Sequence, residues 1–254
     1  MGKDDRNISV GSGGCSEEIE KALDILNKAE RPLFLIGGGV NIACAGKEMT
    51  RLSELTGIPV VSTIMGKGAV PTTHRSYVGN LGIHGSCGAN LAVSRCDVLF
   101  AIGTRFNDRI TGKLQEFAPD AVIIHADVDA DVISRNVTAD VFIVTDAKEV
   151  INALLKKAVS LKTEKWLEEI NGWKEQYPVS MNYQGVTPQR IMEAVNELFE
   201  EAFITTDVGQ NQLWSADNYV MKRGRFLTTG GFGTMGYSIP AALGAKMAEP
   251  KRQV

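Results

Sequence analysis

Short, continuously apolar runs recur through the first 160 residues, and amphipathic segments with helical spacing separate them. A strand that is apolar at every position is buried on both faces, which is typical of a parallel sheet covered by helices. The pattern therefore predicts an α/β fold with a doubly wound, Rossmann-like parallel sheet. The predicted strands are Pro32–Ile36, Ile58–Ser62, Val98–Ile102, Ala121–His125 and Val141–Val144.

The repeating pattern occupies only part of the chain, because its composition changes near residue 160. A charged segment follows, in which Trp166, Ile170 and Trp173 recur at helical spacing and indicate ordinary helix packing. A further strand and helix pattern begins at Thr187, which we expect to cap a helix. The predicted parts are a linker tail (1–14), a central α/β domain (15–160), a connector (161–186) and an incomplete second α/β domain (187–254).

Composition excludes several classes of function. The chain has 27 Lys and Arg against 30 Asp and Glu, a net charge of −3, with the two signs interspersed, so a nucleic-acid partner has no support. No apolar run approaches the ~20 residues of a membrane-spanning helix, and the N-terminus lacks the apolar core of a signal peptide. We therefore expect a soluble, cytoplasmic protein without a membrane partner.

The chain has four cysteines, and their spacing is not that of metal ligands. We therefore expect them to be reduced thiols that are buried as small apolar groups. They are Cys15, Cys44, Cys87 and Cys96.

Two glycine-bearing segments near the end of the chain predict a phosphate site. Thr206–Gln212 follows an apolar strand at Phe203–Thr205, and Thr228–Tyr237 leads into a helix that begins near Ser238. Helix N-termini and glycine loops bind phosphate groups through backbone amides. The chain stops soon after the start of that helix, so the sequence predicts half of a diphosphate cradle.

Loops that follow the predicted strands of the central domain suit a nucleotide, because ligands of doubly wound sheets lie at the carboxyl ends of the strands. Gly37–Gly39 lets a ligand approach the backbone, Gly103–Arg105 adds a guanidinium that can bind a diphosphate, and Asp127–Asp129 offers carboxylates to a ribose. Ile42 stands where the third glycine of the dinucleotide fingerprint belongs, so a standard NAD motif is absent.

Two further loops, Thr63–Gly68 and Leu81–Gly85, combine glycine with apolar residues and suit a flat ring. His84 in the second loop fits equally well a histidine that is bonded locally at a helix start. Each nucleotide loop taken alone also fits an ordinary turn between a strand and a helix, and it is their occurrence in successive loops that favours a nucleotide site.

The region from about Arg31 to Lys246 resembles the large catalytic subunit of the acetolactate synthases, which are thiamine diphosphate enzymes that also carry FAD. The string Gly103–Lys113 carries most of the resemblance. The other matching segments are Arg31–Pro32 with Gly37–Gly39, Ser62–Gly66, Leu81–Gly85, Gly209–Trp214 and Gly230–Gly236.

The resemblance implies that the central domain binds FAD and that the second domain contributes to a thiamine diphosphate site. At the flavin nucleotide it places Gly38, Gly39, Thr63, Ile64, Met65, His84, Gly103, Arg105, Arg109, Asp127, Val128 and Asp146. Along the thiamine diphosphate it places Val208, Gly209, Gln210, Asn211, Gly233 and Met235. Met235 would be wedged between the two rings of that cofactor and hold it in a bent shape.

The chain departs from the family's pattern in three ways. Asn211 stands where the family usually has histidine, and an asparagine does not titrate near neutral pH. The Gly-Asp-Gly segment that holds Mg²⁺ and the diphosphate does not occur in this sequence, and neither does the N-terminal domain that supplies the activating glutamate. We therefore expect no catalytic residue and no metal ligand in this chain, and no turnover by it alone.

For the complete enzyme, the resemblance implies decarboxylation of pyruvate and carboligation to pyruvate or 2-ketobutyrate, in branched-chain amino acid synthesis. It also implies a homodimer or larger assembly, to which a small regulatory subunit can bind. Two alternatives stay open at this stage. One is a sibling thiamine diphosphate enzyme of the glyoxylate carboligase, pyruvate oxidase or oxalyl-CoA decarboxylase type; the other is a non-catalytic nucleotide-binding module.

Overall fold

A computed structural model of the chain describes residues 14–179, 185–199, 201–222 and 225–254. The predicted linker tail, apart from residue 14, lies outside the described residues. The helices are α1 (Gly14–Leu26), α2 (Gly38–Ile42), α3 (Gly46–Thr56), α4 (Cys87–Arg95), α5 (Asp108–Thr111), α6 (Ala147–Lys157), α7 (Glu164–Gln176), α8 (Pro188–Leu198), α9 (Gln210–Asn218) and α10 (Ser238–Ala248). The strands are β1 (Pro32–Ile36), β2 (Val60–Ser62), β3 (Tyr77–Asn80), β4 (Val98–Ile102), β5 (Val122–Asp127), β6 (Val141–Val144), β7 (Ile204–Thr206) and β8 (Phe226–Thr228).

Strands β1 to β6 form one parallel sheet in the order β3-β2-β1-β4-β5-β6. This is the order of a doubly wound dinucleotide-binding fold, and it confirms the predicted α/β class. The direction in which successive strands are added reverses between β1 and β4, so the loops that follow these two strands lead to opposite faces of the sheet. A crevice at their carboxyl ends follows from this topology.

The continuous apolar runs are explained by the two faces of the sheet. In β1, Phe34 and Ile36 pack into the core on the side of α1, α3 and α6, while Leu33 and Leu35 pack toward α4 and α7. All four side chains are fully buried. Successive strand residues point to opposite faces, so a strand covered on both sides must be apolar at every position.

Strand β3 was not predicted, because it does not form an apolar run. Its sequence is Tyr77-Val78-Gly79-Asn80, and Gly79 has a φ of +154° that ordinary residues rarely adopt. A Cβ at Gly79 would lie 2.3 Å from Oγ of Ser86, which leaves no room for a side chain. The register between β2 and β3 also shifts at Val60, so this edge strand is irregular.

Helix α7, predicted as part of a connector, packs on the central sheet. Trp166 is buried in the core beside Ile170, and its indole Nε1 donates a 3.1 Å hydrogen bond to the carbonyl of Pro32. The rings of Trp166 and Trp173 meet edge to face with centroids 5.7 Å apart. The interpretation of these aromatic residues as a helix-packing stripe is therefore confirmed.

The prediction that the cysteines are buried is confirmed for Cys96 and wrong for Cys44 and Cys87. Cys96 is buried behind β4, and burial raises the pKa of its thiol to about 12. Cys44 and Cys87 are exposed, because Cys44 lies in the turn after α2 with a φ of +51° and Cys87 opens α4. The side chain of Cys15 lies outside what the structure describes.

The second domain has a small core. Strands β7 and β8 pair in parallel, and their apolar residues pack with Ala216, Tyr219 and Met221. As predicted, Thr187 caps α8, accepting a 3.2 Å hydrogen bond from the amide of Arg190. No residue within α8 or α10 is buried.

None of the helices in the described part of the chain has the length and apolar character that crossing a membrane requires.

We expect amide hydrogens of residues 187–254 to exchange faster than those of residues 31–158, because the second domain buries far less apolar surface around its hydrogen bonds. Hydrogen exchange followed by mass spectrometry on the purified chain measures this directly. Equal protection of both regions would contradict the prediction.

Candidate functional site

A cavity of about 690 Å³ lies at the carboxyl ends of β1 and β4, where the strand order reverses. Its volume falls within the ~300–1,000 Å³ typical of ligand sites. Loops of the central domain form most of the wall. The second domain closes one side with Val208, Gly209, Gln212 and Leu213, so both domains are needed to form the cavity.

Backbone contacts between two glycine loops form the floor of the cavity. The amide of Gly37 donates to the carbonyl of Ile102 and that of Gly39 to the carbonyl of Gly103, each at 3.0 Å. A Cβ at Gly37 would lie 2.1 Å from the Gly103 carbonyl oxygen, and one at Gly39 would lie 2.7 Å from the Gly103 Cα. Glycine is therefore required here for packing between loops. Gly38 also lines the cavity and keeps its surface open to a ligand.

His125 supports the Gly103–Arg105 loop from within the sheet. Its side chain is fully buried in β5, and Nε2 lies 2.8 Å from the carbonyl of Thr104. Burial lowers the pKa of His125, which favours the neutral imidazole. A neutral ring that donates from Nε2 fixes the loop that carries Arg105 without placing a charge under the cavity.

Apolar side chains form a wide surface around the cavity. Met65, Ile83 and Val128 line it with exposed side chains, Ile83 by 66% and Val128 by 73%. Ile64 and Met65 belong to a 3-10 turn that Thr63 caps, accepting a hydrogen bond from the amide of Gly66. Exposed apolar side chains that line a concave surface are suited to covering a flat ring.

Two guanidinium groups stand where the central domain meets the second glycine segment. Nη1 of Arg109 donates to the carbonyl of Gly230 at 3.3 Å, and Nη2 of Arg105 would lie 3.7 Å from a Cβ at Gly231. Neither arginine belongs to an ion pair among the described residues. Two cations that share one cavity can together bind a diphosphate group.

Carboxylates also line the cavity at the end of β5. Oδ1 of Asp127 accepts the amide of Asp129 at 3.0 Å, which fixes the direction of the Asp127 side chain. Both residues line the cavity, and their remaining oxygens can accept hydrogen bonds from ribose hydroxyls. Asp146, in contrast, caps α6 by accepting the amide of Lys148 at 2.8 Å and does not line the cavity.

Eleven of the twelve residues predicted at the flavin nucleotide line this one cavity, and Asp146 is the exception. Sequence reasoning missed Asn80, because β3 was not recognised, and it missed Asn107. The Oδ1 atom of Asn107 is buried without a hydrogen-bond partner, which leaves an acceptor at the cavity wall. Ile83, Asp129 and Gln212 also line the cavity, and each lies in a loop that the sequence indicated as a candidate site. Ile110, Leu213 and Asp217 line it as well, although the sequence assigned them no role.

The residues predicted along the thiamine diphosphate separate into two groups. Val208 and Gly209 line the cavity, at the start of α9. The others, Gln210, Asn211, Gly233 and Met235, lie outside its lining, and Met235 is 76% exposed. The role of Met235 as a wedge between cofactor rings stays a prediction.

Asp207 joins the two segments of the predicted diphosphate cradle. Its Oδ1 accepts the amides of Tyr237 at 2.7 Å and Ser238 at 3.1 Å, and its Oδ2 accepts the Ser238 hydroxyl. These hydrogen bonds, foremost the one from the Ser238 amide, lower the pKa of Asp207. The first amides of α10 are therefore already bonded to a carboxylate, which the glycine pattern alone did not reveal.

Two family profiles match the chain. The one described as "Thiamine pyrophosphate enzyme, central domain" matches residues 19–154, and the one described as "Thiamine pyrophosphate enzyme, C-terminal TPP binding domain" matches residues 207–254. Thiamine pyrophosphate is another name for thiamine diphosphate. The matched ranges correspond to the six-stranded sheet and to the part of the chain from Asp207 onward.

Curated relatives are similar along almost the whole chain. The "Probable acetolactate synthase large subunit" of Methanocaldococcus jannaschii is 46% identical over 250 residues, which cover 93% of this chain and 42% of that protein. The "Acetolactate synthase large subunit" of Parasynechococcus marenigrum is 41% identical over 242 residues, 93% of this chain and 39% of the relative. The "Acetolactate synthase" of Mycobacterium leprae is 41% identical over 250 residues, which cover 94% of this chain and 40% of that protein. The chain thus spans about two fifths of their length.

We expect Gly37→Ala to lower the free energy of unfolding of the central domain by about 1–3 kcal/mol, because the new methyl group would overlap the Gly103 carbonyl. Chemical denaturation followed by circular dichroism measures the change. The control is Gly172→Ala on α7, where a Cβ would meet nothing within 4 Å. This substitution should raise the free energy of unfolding by about 0.5–1 kcal/mol, because alanine favours a helix more than glycine does. Equal effects of both substitutions would contradict the proposed packing constraint.

Proposed function

Because the chain belongs to the thiamine pyrophosphate enzymes, we propose that it is the flavin-binding region and part of the thiamine diphosphate-binding region of an acetolactate synthase large subunit. The observation that carries the proposal is the single cavity at the β1 and β4 strand ends, to which both matched regions contribute. The names of the relatives favour this synthase over the other thiamine diphosphate enzymes considered from the sequence.

We assign the cavity to FAD. The groups around it match the parts of a flavin dinucleotide: arginines for the diphosphate, carboxylates for a ribose, and an apolar surface for the flavin ring. Gly38 lets the ligand approach the main chain, and Asn107 offers an unpartnered acceptor. In this assignment Arg105 and Arg109 neutralise the diphosphate, and Met65 covers the ring.

We assign the start of α9 to thiamine diphosphate. When bound, this cofactor supplies the electron sink for removing carbon dioxide from a 2-keto acid. Val208 and Gly209 would lie along it, because they lead into α9 at the cavity wall. Gly209 has a φ of +134°, so the main chain turns there without a side chain in the way.

The proposed reaction of the complete enzyme is decarboxylation of pyruvate followed by carboligation to a second 2-keto acid, pyruvate or 2-ketobutyrate. We also propose, from the resemblance, Mg²⁺ with thiamine diphosphate, a cytoplasmic location, an assembly of at least two catalytic subunits and a regulatory subunit. The role of this chain's residues in that reaction is to bind and orient the two cofactors and to exclude water from the space between the domains.

Titration of the purified chain with FAD, followed by flavin fluorescence and calorimetry, tests the assignment of the cavity. We expect saturable binding, with preference for FAD over ADP and NAD. Arg105→Ala should weaken the affinity for FAD by about 10- to 100-fold, because it removes charge-assisted hydrogen bonds to the diphosphate. Arg51→Ala, which removes an exposed arginine on α3, is the matched control and should change the affinity less than about 2-fold.

The competing nucleotides separate the remaining possibilities. Equal affinity for ADP and FAD would contradict the role of the apolar wall in binding a flavin ring. A folded sample that binds none of the three nucleotides would contradict the nucleotide assignment as a whole.

A further inference from the structure

The turn that follows β4 brings Arg105 and Asn107 to the cavity, although the residue between them is buried. Phe106 is only 1% exposed and belongs to the core on the side of α4 and α7. Its φ is +48°, in the left-handed region that a bulky residue rarely adopts. A backbone of this shape persists only where the surrounding structure holds it in place.

Two rings from other parts of the central domain hold the Phe106 side chain. The imidazole of His125 in β5 has its centroid 4.8 Å from that of Phe106, and Phe117, in the segment before β5, lies 5.7 Å away. Both pairs meet at 77°, the edge-to-face arrangement that aromatic rings favour. The left-handed residue is therefore fixed through its own side chain.

Two side chains bond to successive carbonyls of the same turn. Nε2 of His125 lies 2.8 Å from the carbonyl of Thr104, and Nδ2 of Asn136 donates to the carbonyl of Arg105 at 3.1 Å. Because a carbonyl only accepts hydrogen bonds, Nε2 of His125 carries the proton. The other ring nitrogen, Nδ1, is buried without a hydrogen-bond partner in the described part of the chain. The polar contact of this buried imidazole is thus directed at the turn.

Asn136 connects the turn to the loop between β5 and β6. This loop begins with the carboxylate segment Asp127–Asp129, which lines the cavity. Ser134 in the same loop accepts the amide of Ala139 at 3.0 Å and stabilises the loop internally. Through the side chain of Asn136, the loop that carries the carboxylates therefore bonds directly to the main chain of the arginine.

A fixed main chain matters for Arg105 because its side chain is long and exposed. The guanidinium extends to the second domain, where Nη2 would lie 3.7 Å from a Cβ at Gly231. Such a side chain has many rotamers, and every mobile main-chain torsion would multiply the positions that the guanidinium can take. Holding the carbonyls of residues 104 and 105 removes that freedom before a ligand arrives, which reduces the entropy lost on binding.

We propose that Phe106, His125 and Asn136 are positioning residues, which hold the turn over residues 104–107 in one shape and so present Arg105 to a phosphate-bearing ligand. None of the three lines the cavity, so they act through the main chain of the turn and not by contact with the ligand. The ligand rests on the proposed function, whereas the rigidity of the turn is a property of the free protein.

The exposed Asn136 gives the substitution that least disturbs the core. We expect Asn136→Ala to weaken FAD binding by about 5- to 20-fold, but by less than about 2-fold when Arg105→Ala is already present, because Asn136 acts through that arginine. Ser134→Ala removes a hydrogen bond of the same loop that is not made to the turn. As the matched control, it should change the affinity less than about 2-fold.

Calorimetric titration of the four Asn136 and Arg105 combinations measures this coupling. A loss on Asn136→Ala that persists in the Arg105→Ala background would overturn the proposal, because Asn136 would then act independently of the arginine. Equal losses in Asn136→Ala and Ser134→Ala would overturn it as well, since they would show a general loosening of the loop.

Substitutions of His125 distinguish a hydrogen-bond donor from a residue that only fills space. His125→Gln keeps an N–H donor and should retain the FAD affinity within about 3-fold, whereas His125→Leu has none and should weaken it at least about 10-fold. Equal losses in the two variants would overturn the role of Nε2. If neither variant folds, the comparison at Asn136 decides the proposal.

NMR relaxation of the ligand-free protein tests the rigidity of the turn without a nucleotide. Amide order parameters of Arg105 and Phe106 should be about 0.85 in the wild type and in Ser134→Ala, and lower by at least about 0.1 in Asn136→Ala. A wild-type value below about 0.6, or no change in Asn136→Ala, would overturn the proposal. If the wild type binds no FAD, the proposed function fails, and the order parameters still decide whether the turn is held by these residues.

Discussion

The contact between the loops that follow β1 and β4 is the constraint on which the rest of the structure depends. These neighbouring strands are buried on both faces, so their ends are held by the two halves of the core. Main-chain hydrogen bonds from Gly37 and Gly39 then join the loops with no side chain between them. The crevice consequently has a floor of backbone, and every other cavity wall is placed relative to that floor.

The two domains meet through polar groups that are mostly satisfied by main-chain atoms. The Lys67 ammonium and the Asn80 amide both bond to one carbonyl of α9, and Thr72 exchanges hydrogen bonds with the backbone of Met221. Such contacts are directional, so they fix the orientation of α9 more closely than an apolar interface of the same size would. The ligand space between the domains is defined by the same contacts.

The sequence allowed the central sheet to be predicted well, because strands buried on both faces produce an unmistakable apolar run. The prediction missed β3, because this strand lies at the edge of the sheet and contains Gly79, so it does not form an apolar run. Most predicted site residues line the cavity because they follow recognised strands, whereas Asn80 and Asp217 do not. Their placement depends on the docking of α9 against β3, in which the contacting residues are more than 130 positions apart in the chain, and no local pattern encodes such a contact.

The carboxylate of Asp207 has a consequence for any anion that approaches the start of α10. The first amides of this helix already bond to Asp207, so the positive end of the helix dipole is neutralised within the protein. A phosphate placed there would meet a second negative charge rather than free donors. Asp207 therefore makes the start of α10 a poorer site for an anion than the glycine-rich segment before it suggests.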